Sequence, residues 1–257
     1  MTVRTVQQLF DLKGKTALVT GGSRGLGLQM AHALGEAGAR VVISSRKADD
    51  LAKAAAELKA AGIDAQWIAA DASRQEDIDR LADEALQKLG HVDILVNNAG
   101  ATWGAPAEDY PTEAWDKVMN LNVRGYFLLC QRLAKKDMLA RGGSIINISS
   151  VAGLNGGSNV IAYNTSKAAV LNFTRSLARE WGPRGIRVNA ICPGAFPTKM
   201  MKGTMEKGGG ADAYAARTPL RRIGDDEDLK GITLLFASDA GKHITGQWMA
   251  VDGGSSA

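Results

Sequence analysis

The chain has 257 residues, 45% of them hydrophobic, and its 31 basic residues are nearly balanced by 27 acidic ones to leave a net charge of +4. That length suits one large α/β domain, and the absence of a long lysine/arginine block excludes a nucleic-acid-binding tail. No apolar run approaches the roughly 20 residues needed to span a bilayer, and residues 1–10 lack the apolar core and cleavage site of a secretory signal. Two cysteines far apart, Cys130 and Cys192, read as buried thiols of a cytoplasmic protein. His32, His91 and His243 are scattered, so no metal site is expected and zinc-assisted alcohol oxidation is excluded.

Residues 16–20, Thr-Ala-Leu-Val-Thr, form a short apolar run that reads as a buried strand. It leads directly into Gly21-Gly22-Ser23-Arg24-Gly25-Leu26-Gly27, and residues 28–36 then carry helical spacing up to Gly38. A strand, a glycine turn and a helix N-terminus make an anion site, because backbone N–H groups and the helix dipole both favour negative charge. The spacing is Gly-x3-Gly-x-Gly, which differs from the usual dinucleotide fingerprint and, lacking Gly-Lys-Ser/Thr, from a P-loop. Further strands are predicted at residues 40–44, 65–69, 93–96, 144–148, 187–192 and 247–251. Helices are predicted at 48–61, 75–89, 115–139 and 160–181, the last ending at Gly182-Pro183. This alternation predicts a parallel sheet with helices on both faces. Residues 195–224 break the rhythm, with Gly203, Gly208-Gly209-Gly210 and Met200, Met201 and Met205 among them. The methionines either line an adaptable pocket or pack against the body.

Tyr163 and Lys167 stand four apart on the helix predicted at 160–181, thirteen residues after Ser150. An i, i+4 pair projects from one helix face, so a phenol and an ammonium share one small volume. A nearby cation favours the phenolate and lowers its pKa from about 10, towards the range where acid–base catalysis is efficient. A serine hydroxyl at a strand end would hold the substrate oxygen. Alone, the pair also fits a surface tyrosine beside a solvated lysine.

Charge points to the cofactor. An NAD site uses an acid at the end of the second strand, whereas an NADP site places a cation there. Here that strand ends Ser44-Ser45-Arg46-Lys47, with no acid before Asp49, and Arg24 lies in the glycine turn. Both arginines are suited to a 2′-phosphate, so NADP(H) is predicted. Arg132, Lys135 and Lys136 form a basic helical face that ordinary solvation explains; docking of an acidic carrier protein is the alternative.

Five motifs, Thr20 to Gly27, Asn97-Asn98-Ala99-Gly100, Ser150, Tyr163-x-x-x-Lys167 and Pro193-Gly194, together resemble the short-chain dehydrogenase/reductase family in its own order. The likeness runs from about Leu12 to Gly254 and includes Ile244-Thr245-Gly246-Gln247 and Val251-Asp252-Gly253-Gly254. It implies a single-domain Rossmann fold spanning residues 1–257, with a seven-stranded sheet and a substrate lid at about 195–224. It makes Tyr163 the acid/base and Lys167 the group that holds the nicotinamide ribose and lowers the Tyr163 pKa. Ser150, rather than Ser149, binds the substrate oxygen, and Asn122 kinks its helix and orders a relay water. Cofactor contacts implied in the same way are Gly21, Ser23, Arg24, Gly25, Leu26 and Gly27 in the turn, and Ser45 and Arg46 at the 2′-phosphate. Asp71 and Ala72 fall at the adenine, and Asn98, Ala99 and Gly100 along the cleft. Pro193, Gly194, Phe196 and Thr198 fall near the nicotinamide.

The expected reaction is hydride transfer from NADPH to a ketone or 3-oxoacyl group, with Tyr163 supplying the proton. Trp103, Gly153, Leu154 and Asn155 are expected to shape the pocket. The chain is similar to 3-oxoacyl reductases, gluconate 5-dehydrogenases and the rhamnolipid-pathway ketoacyl reductase. A sugar-acid dehydrogenase is therefore the alternative, and a non-catalytic NADP sensor a more distant one, since both active-pair residues are present. The family implies a homotetramer.

Overall fold

Seven short apolar runs pair into one parallel sheet: β1 (Thr16–Thr20), β2 (Arg40–Ser45), β3 (Ala65–Ala69), β4 (Ile94–Asn97), β5 (Gly143–Ile148), β6 (Ile186–Pro193) and β7 (Trp248–Val251). The computed structural model describes residues 3–257, leaving aside the side chains at 202, 204, 206 and 207; the first two residues of the expected 1–257 span lie outside it. Strand order is β3-β2-β1-β4-β5-β6-β7. Leu18 of β1 sits opposite Val42 on one side and Leu95 on the other. The chain therefore switches its direction of travel across the sheet between β1 and β4. In open α/β sheets that switch opens a crevice outside the carboxyl ends of the strands, where ligands bind.

Successive strand residues face opposite sides, and here both sides are buried. Ala17, Val19, Val41, Ile43 and Val96 pack on one face against α2 (Gly25–Glu36), α3 (Ala48–Ala60) and α11 (Lys230–Ala237). Leu18, Val42, Leu95 and Ile145 pack on the other against α4 (Gln75–Leu89), α6 (Tyr126–Leu133) and α8 (Ile161–Trp181). Burial on both faces is why the inner strands read as continuous apolar runs rather than as polar/apolar alternation, while the edge strands β3 and β7 are partly exposed.

The helix expected at 115–139 is longer and broken. It comprises α5 (Thr112–Met119), α6 and α7 (Leu139–Arg141), joined through π-helical turns at Asn120–Gly125 and Ala134–Met138. Four helices were not predicted: α1 (Val6–Phe10), α9 (Lys199–Lys207), α10 (Gly210–Arg217) and α11. The first is a single capped turn, with Thr5 Oγ accepting from Gln8 N. The last is only eight residues long, too short for a distinct apolar period. The irregular 195–224 segment thus folds as two short helices parted by Gly208 and Gly209. Met205 is buried against the body, while Met200 remains 43% exposed on α9.

The basic face at 132–136 is engaged within the fold. Arg132 Nε lies 2.5 Å from Asp79 Oδ1, and Lys136 pairs with Asp83, both acids on α4.

Candidate active site

The glycine turn is held by its neighbours as much as by its own residues. Gly21 has φ +64°, and a Cβ on Gly27 would lie 2.3 Å from the Gly21 carbonyl oxygen, so only glycine permits this approach of helix to turn. The Asn98 amide donates to the carbonyls of Thr20 (3.0 Å) and Gly21 (3.1 Å). The Thr20 hydroxyl accepts from the backbone N–H groups of Asn98 (3.0 Å) and Ala99 (3.1 Å). Thr20 therefore clamps the ends of β1 and β4 together across the switch point. It had been assigned no role, since a threonine closing a strand carries no local signal. Asn98 was expected to line the cleft; its side-chain amide is spent holding the turn.

The residues expected to transfer the proton gather at the ends of β5 and β6. Lys167 Nζ donates to the Ile148 carbonyl at 2.7 Å, tying α8 to the last residue of β5. Ser149 and Ser150 follow with different duties. Ser149 Oγ donates to the Lys167 carbonyl (2.7 Å), while Ser150 Oγ accepts from Ala152 N (3.1 Å) and sits near enough to the Tyr163 phenol to lower its pKa. A Cβ on Gly153 would lie 2.6 Å from the Lys167 carbonyl carbon. Gly153, expected to shape the pocket, also lets the turn after Ser150 seat directly on α8.

The electrostatics correct one expectation. Burial pushes the Tyr163 phenol above its usual value, and the nearby Ser150 hydroxyl offsets only part of this. Lys167, buried against the rings of Tyr126 and Tyr163 with its nitrogen 5.6 Å from each ring centre, is lowered to about 8, chiefly by that burial. In the protein's own field the lysine does not depress the phenol, because desolvation acts on both groups and is the larger effect. The consequence is chemically useful. At neutral pH the phenol keeps its proton, as a proton donor must, and the ammonium keeps its charge.

Asn122 lies in the π-helical turn at Asn120–Gly125 and is fully buried. Its Oδ1 accepts from Ala101 N, and its Nδ2 donates to the Ala101 carbonyl and to Ser166 Oγ, each at 2.9 Å. Ser166 Oγ in turn donates to the Tyr163 carbonyl (2.7 Å). The side chain thus joins the segment after Gly100 to the catalytic helix. The expected kink is present as a π turn, a form frequent at functional sites, and the side-chain amide itself is committed to protein partners.

At the other end of the crevice, Arg46, Asp71, Arg74 and Asp77 line a cavity of about 260 Å³ with Ala69 and Ala70. Asp71 Oδ1 already accepts from Ser73 N and Oγ. Arg74 was not singled out in the sequence, where its position just before α4 carries no charge pattern. Ser45 Oγ is buried with no hydrogen-bond partner, and Gly22 N donates to the Ser44 carbonyl (3.1 Å). Thr198 approaches the turn, its methyl 3.5 Å from where a Gly25 Cβ would stand. Gly194 N donates to the Val251 carbonyl (3.0 Å), continuing the pairing in which Pro193 faces Val251. Phe196 departs from expectation: its ring is 2% exposed and packs in the core beside Gly224, so it offers the cleft only backbone. A glycine cradle at a helix N-terminus, an unpartnered hydroxyl at the end of β2 and arginines beside it fit a dinucleotide.

Comparison with known proteins agrees with this geometry. Residues 21–256 match the family model described as enoyl-(acyl carrier protein) reductase. The chain is 42% identical over 252 residues to the rhamnolipids biosynthesis 3-oxoacyl-[acyl-carrier-protein] reductase of Pseudomonas aeruginosa, covering 95% of this chain and 97% of that one. It is 38% identical to gluconate 5-dehydrogenase of Gluconobacter oxydans, covering 96% of each. Among solved structures, the gluconate 5-dehydrogenase from Burkholderia cenocepacia in complex with NADP and tartrate superposes with a TM-score of 0.92 at 34% identity, covering 98% of both chains. Pseudomonas aeruginosa RhlG in its NADP active-site complex gives 0.91 at 41%, covering 97% of this chain and 99% of that one. The chain belongs to the short-chain dehydrogenase/reductase family, oxidoreductases acting on CH–OH and C=O groups.

Proposed function

We propose that this protein is an NADP(H)-dependent reductase that converts a ketone or 3-oxoacyl group to a secondary alcohol. The observation that carries the reading is the convergence of Tyr163, Ser150 and Lys167 at the ends of β5 and β6, beside the Gly21–Gly27 cradle. When bound, the reduced nicotinamide supplies hydride to the carbonyl carbon. Tyr163 Oη then gives its proton to the substrate oxygen, and Ser150 Oγ stabilises the charge developing there. Lys167 holds the ribose next to the nicotinamide and keeps positive charge beside the phenol. Arg46 and Arg24 take the 2′-phosphate, Ser45 adds its hydroxyl, and Arg74 and Asp71 border the adenine. Residues 195–224 close over the substrate as a lid, with α9 and α10 as its moving part.

Three exposed apolar side chains border the cleft segments: Trp103 just after Gly100, Ile161 just before Tyr163, and Met200 on α9. They favour a hydrophobic ketone over a sugar acid. The second reading, a gluconate-type dehydrogenase, is favoured by the similarity to gluconate 5-dehydrogenases. A carrier-bound substrate is suggested by relatives named as acyl-carrier-protein reductases. Arg132 and Lys136 are paired with Asp79 and Asp83, so an acidic carrier docking there competes with those two carboxylates. A family-type homotetramer is tested by light scattering on the purified protein.

The deciding experiment is NADPH consumption with simple ketones, 3-oxoacyl thioesters and keto-sugar acids, repeated with NADH. Turnover of an oxoacyl thioester with NADPH preferred supports the proposal. Turnover confined to keto-sugar acids replaces it with the second reading, and tight NADPH binding without turnover of any carbonyl argues for a sensor.

A further inference from the structure

Where α3 begins, the structure pairs two charges that the cofactor reading sets in competition. Arg24 Nη1, from the glycine turn, lies 3.6 Å from Oδ2 of Asp50, with the two side chains 58% and 38% exposed. Asp49 and Asp50 both stand in the first turn of α3, where a carboxylate suits the helix dipole. Asp49 meets that local need by itself. Asp50 does something more, reaching across to the turn and holding the arginine expected to meet the 2′-phosphate.

We propose that Asp50 is a specificity-determining residue, a counter-ion that occupies Arg24 until the 2′-phosphate of NADP(H) displaces it. This rests on the NADP(H) reading above. The exchange is physically favourable. An exposed ion pair at this distance is weak, whereas a phosphate dianion offers guanidinium more charge and bidentate geometry. NADH brings only a hydroxyl to the same place and leaves the Arg24–Asp50 pair intact. Asp50 therefore narrows the preference for NADPH that Arg24 and Arg46 create.

The test is calorimetric titration of the full-length protein with NADPH and NADH, and with adenosine 2′,5′-bisphosphate and AMP as probes of the phosphate alone. Asp50→Asn removes the charge and keeps the shape; Asp50→Ser is a second neutral variant in case the first folds poorly. Either should tighten NADPH and the bisphosphate about threefold to tenfold at low ionic strength, with NADH and AMP changed less than about twofold. The gain should shrink as salt is raised, and should fall below about twofold in an Arg24→Ala background, where there is no arginine to release. An unchanged NADPH affinity, an equal gain for NADH, or a gain undiminished without Arg24 overturns the inference while leaving the cofactor reading in place. Wild-type protein that binds NADPH no more tightly than NADH overturns the cofactor reading itself, and the inference with it.

Discussion

The two ends of the crevice solve different problems with different physics. At the Tyr163 end the groups are buried and fastened to backbone: Lys167 to Ile148, Ser149 to Lys167, and Asn122 to Ala101 and Ser166. Desolvation there shifts both ionisable partners and fixes their geometry, as proton transfer requires. At the adenine end the charged groups are open to water; Arg24 is more than half exposed and its ion pair is loose. Charge in that setting is screened and exchangeable. The proposed chemistry thus falls where changes are severe, and the proposed cofactor preference where changes are graded.

Substitutions should separate the ends in that order. Tyr163→Phe removes the proton donor from the buried end and should cut kcat by about 10²- to 10⁴-fold. Its NADPH affinity should stay within about twofold of wild type by calorimetry; a variant retaining near-normal turnover would refute the assignment. At the exposed end, Arg46→Asp should weaken NADPH about ten- to hundredfold, the worth of one or two charge-assisted hydrogen bonds, and NADH far less. Equal losses for both cofactors would remove Arg46 from the 2′-phosphate.

A pH profile sharpens the contrast further. Burial lowers the Lys167 pKa to about 8, so its ammonium is expected to lose its charge as pH rises past that value. If its charge is needed, kcat/KM for NADPH is flat towards pH 7 and falls about tenfold per pH unit beyond the pKa, because kcat/KM reports the free enzyme. A profile flat to pH 10 would mean that the ammonium contributes nothing. The smallest effect belongs to the clamp between the two ends. Thr20→Val keeps the shape but strands the N–H groups of Asn98 and Ala99, and should cost about 1–3 kcal/mol of stability in denaturant unfolding. No loss would show that those N–H groups find other partners.

Much of this molecule was legible along the chain. All seven strands lay within a residue or two of the short apolar runs, and for β1, β2, β4, β5 and β6 the reason is burial on both faces, which needs continuous hydrophobicity. The helix at 75–89 matched its predicted span, its apolar face and Gly90 stop being local signals. Less was legible where structure depends on a partner. The π turns at Asn120–Gly125 and Ala134–Met138 have no sequence period of their own, and α9 and α10 hid among glycines and methionines.

The same divide runs through the candidate site. The sequence by itself determined which chemical groups are present and in what order: a glycine turn, a strand ending in arginine, a serine, and a tyrosine four residues before a lysine. Only the tertiary structure decided how those groups behave. It placed Ser150 rather than Ser149 at the phenol, sent Phe196 into the core, and recruited Thr20 and Gly153 as supports. It also raised the Tyr163 pKa where proximity to Lys167 had suggested a fall. Proximity along a helix follows from local spacing, but the cost of burying a charge depends on everything packed around it.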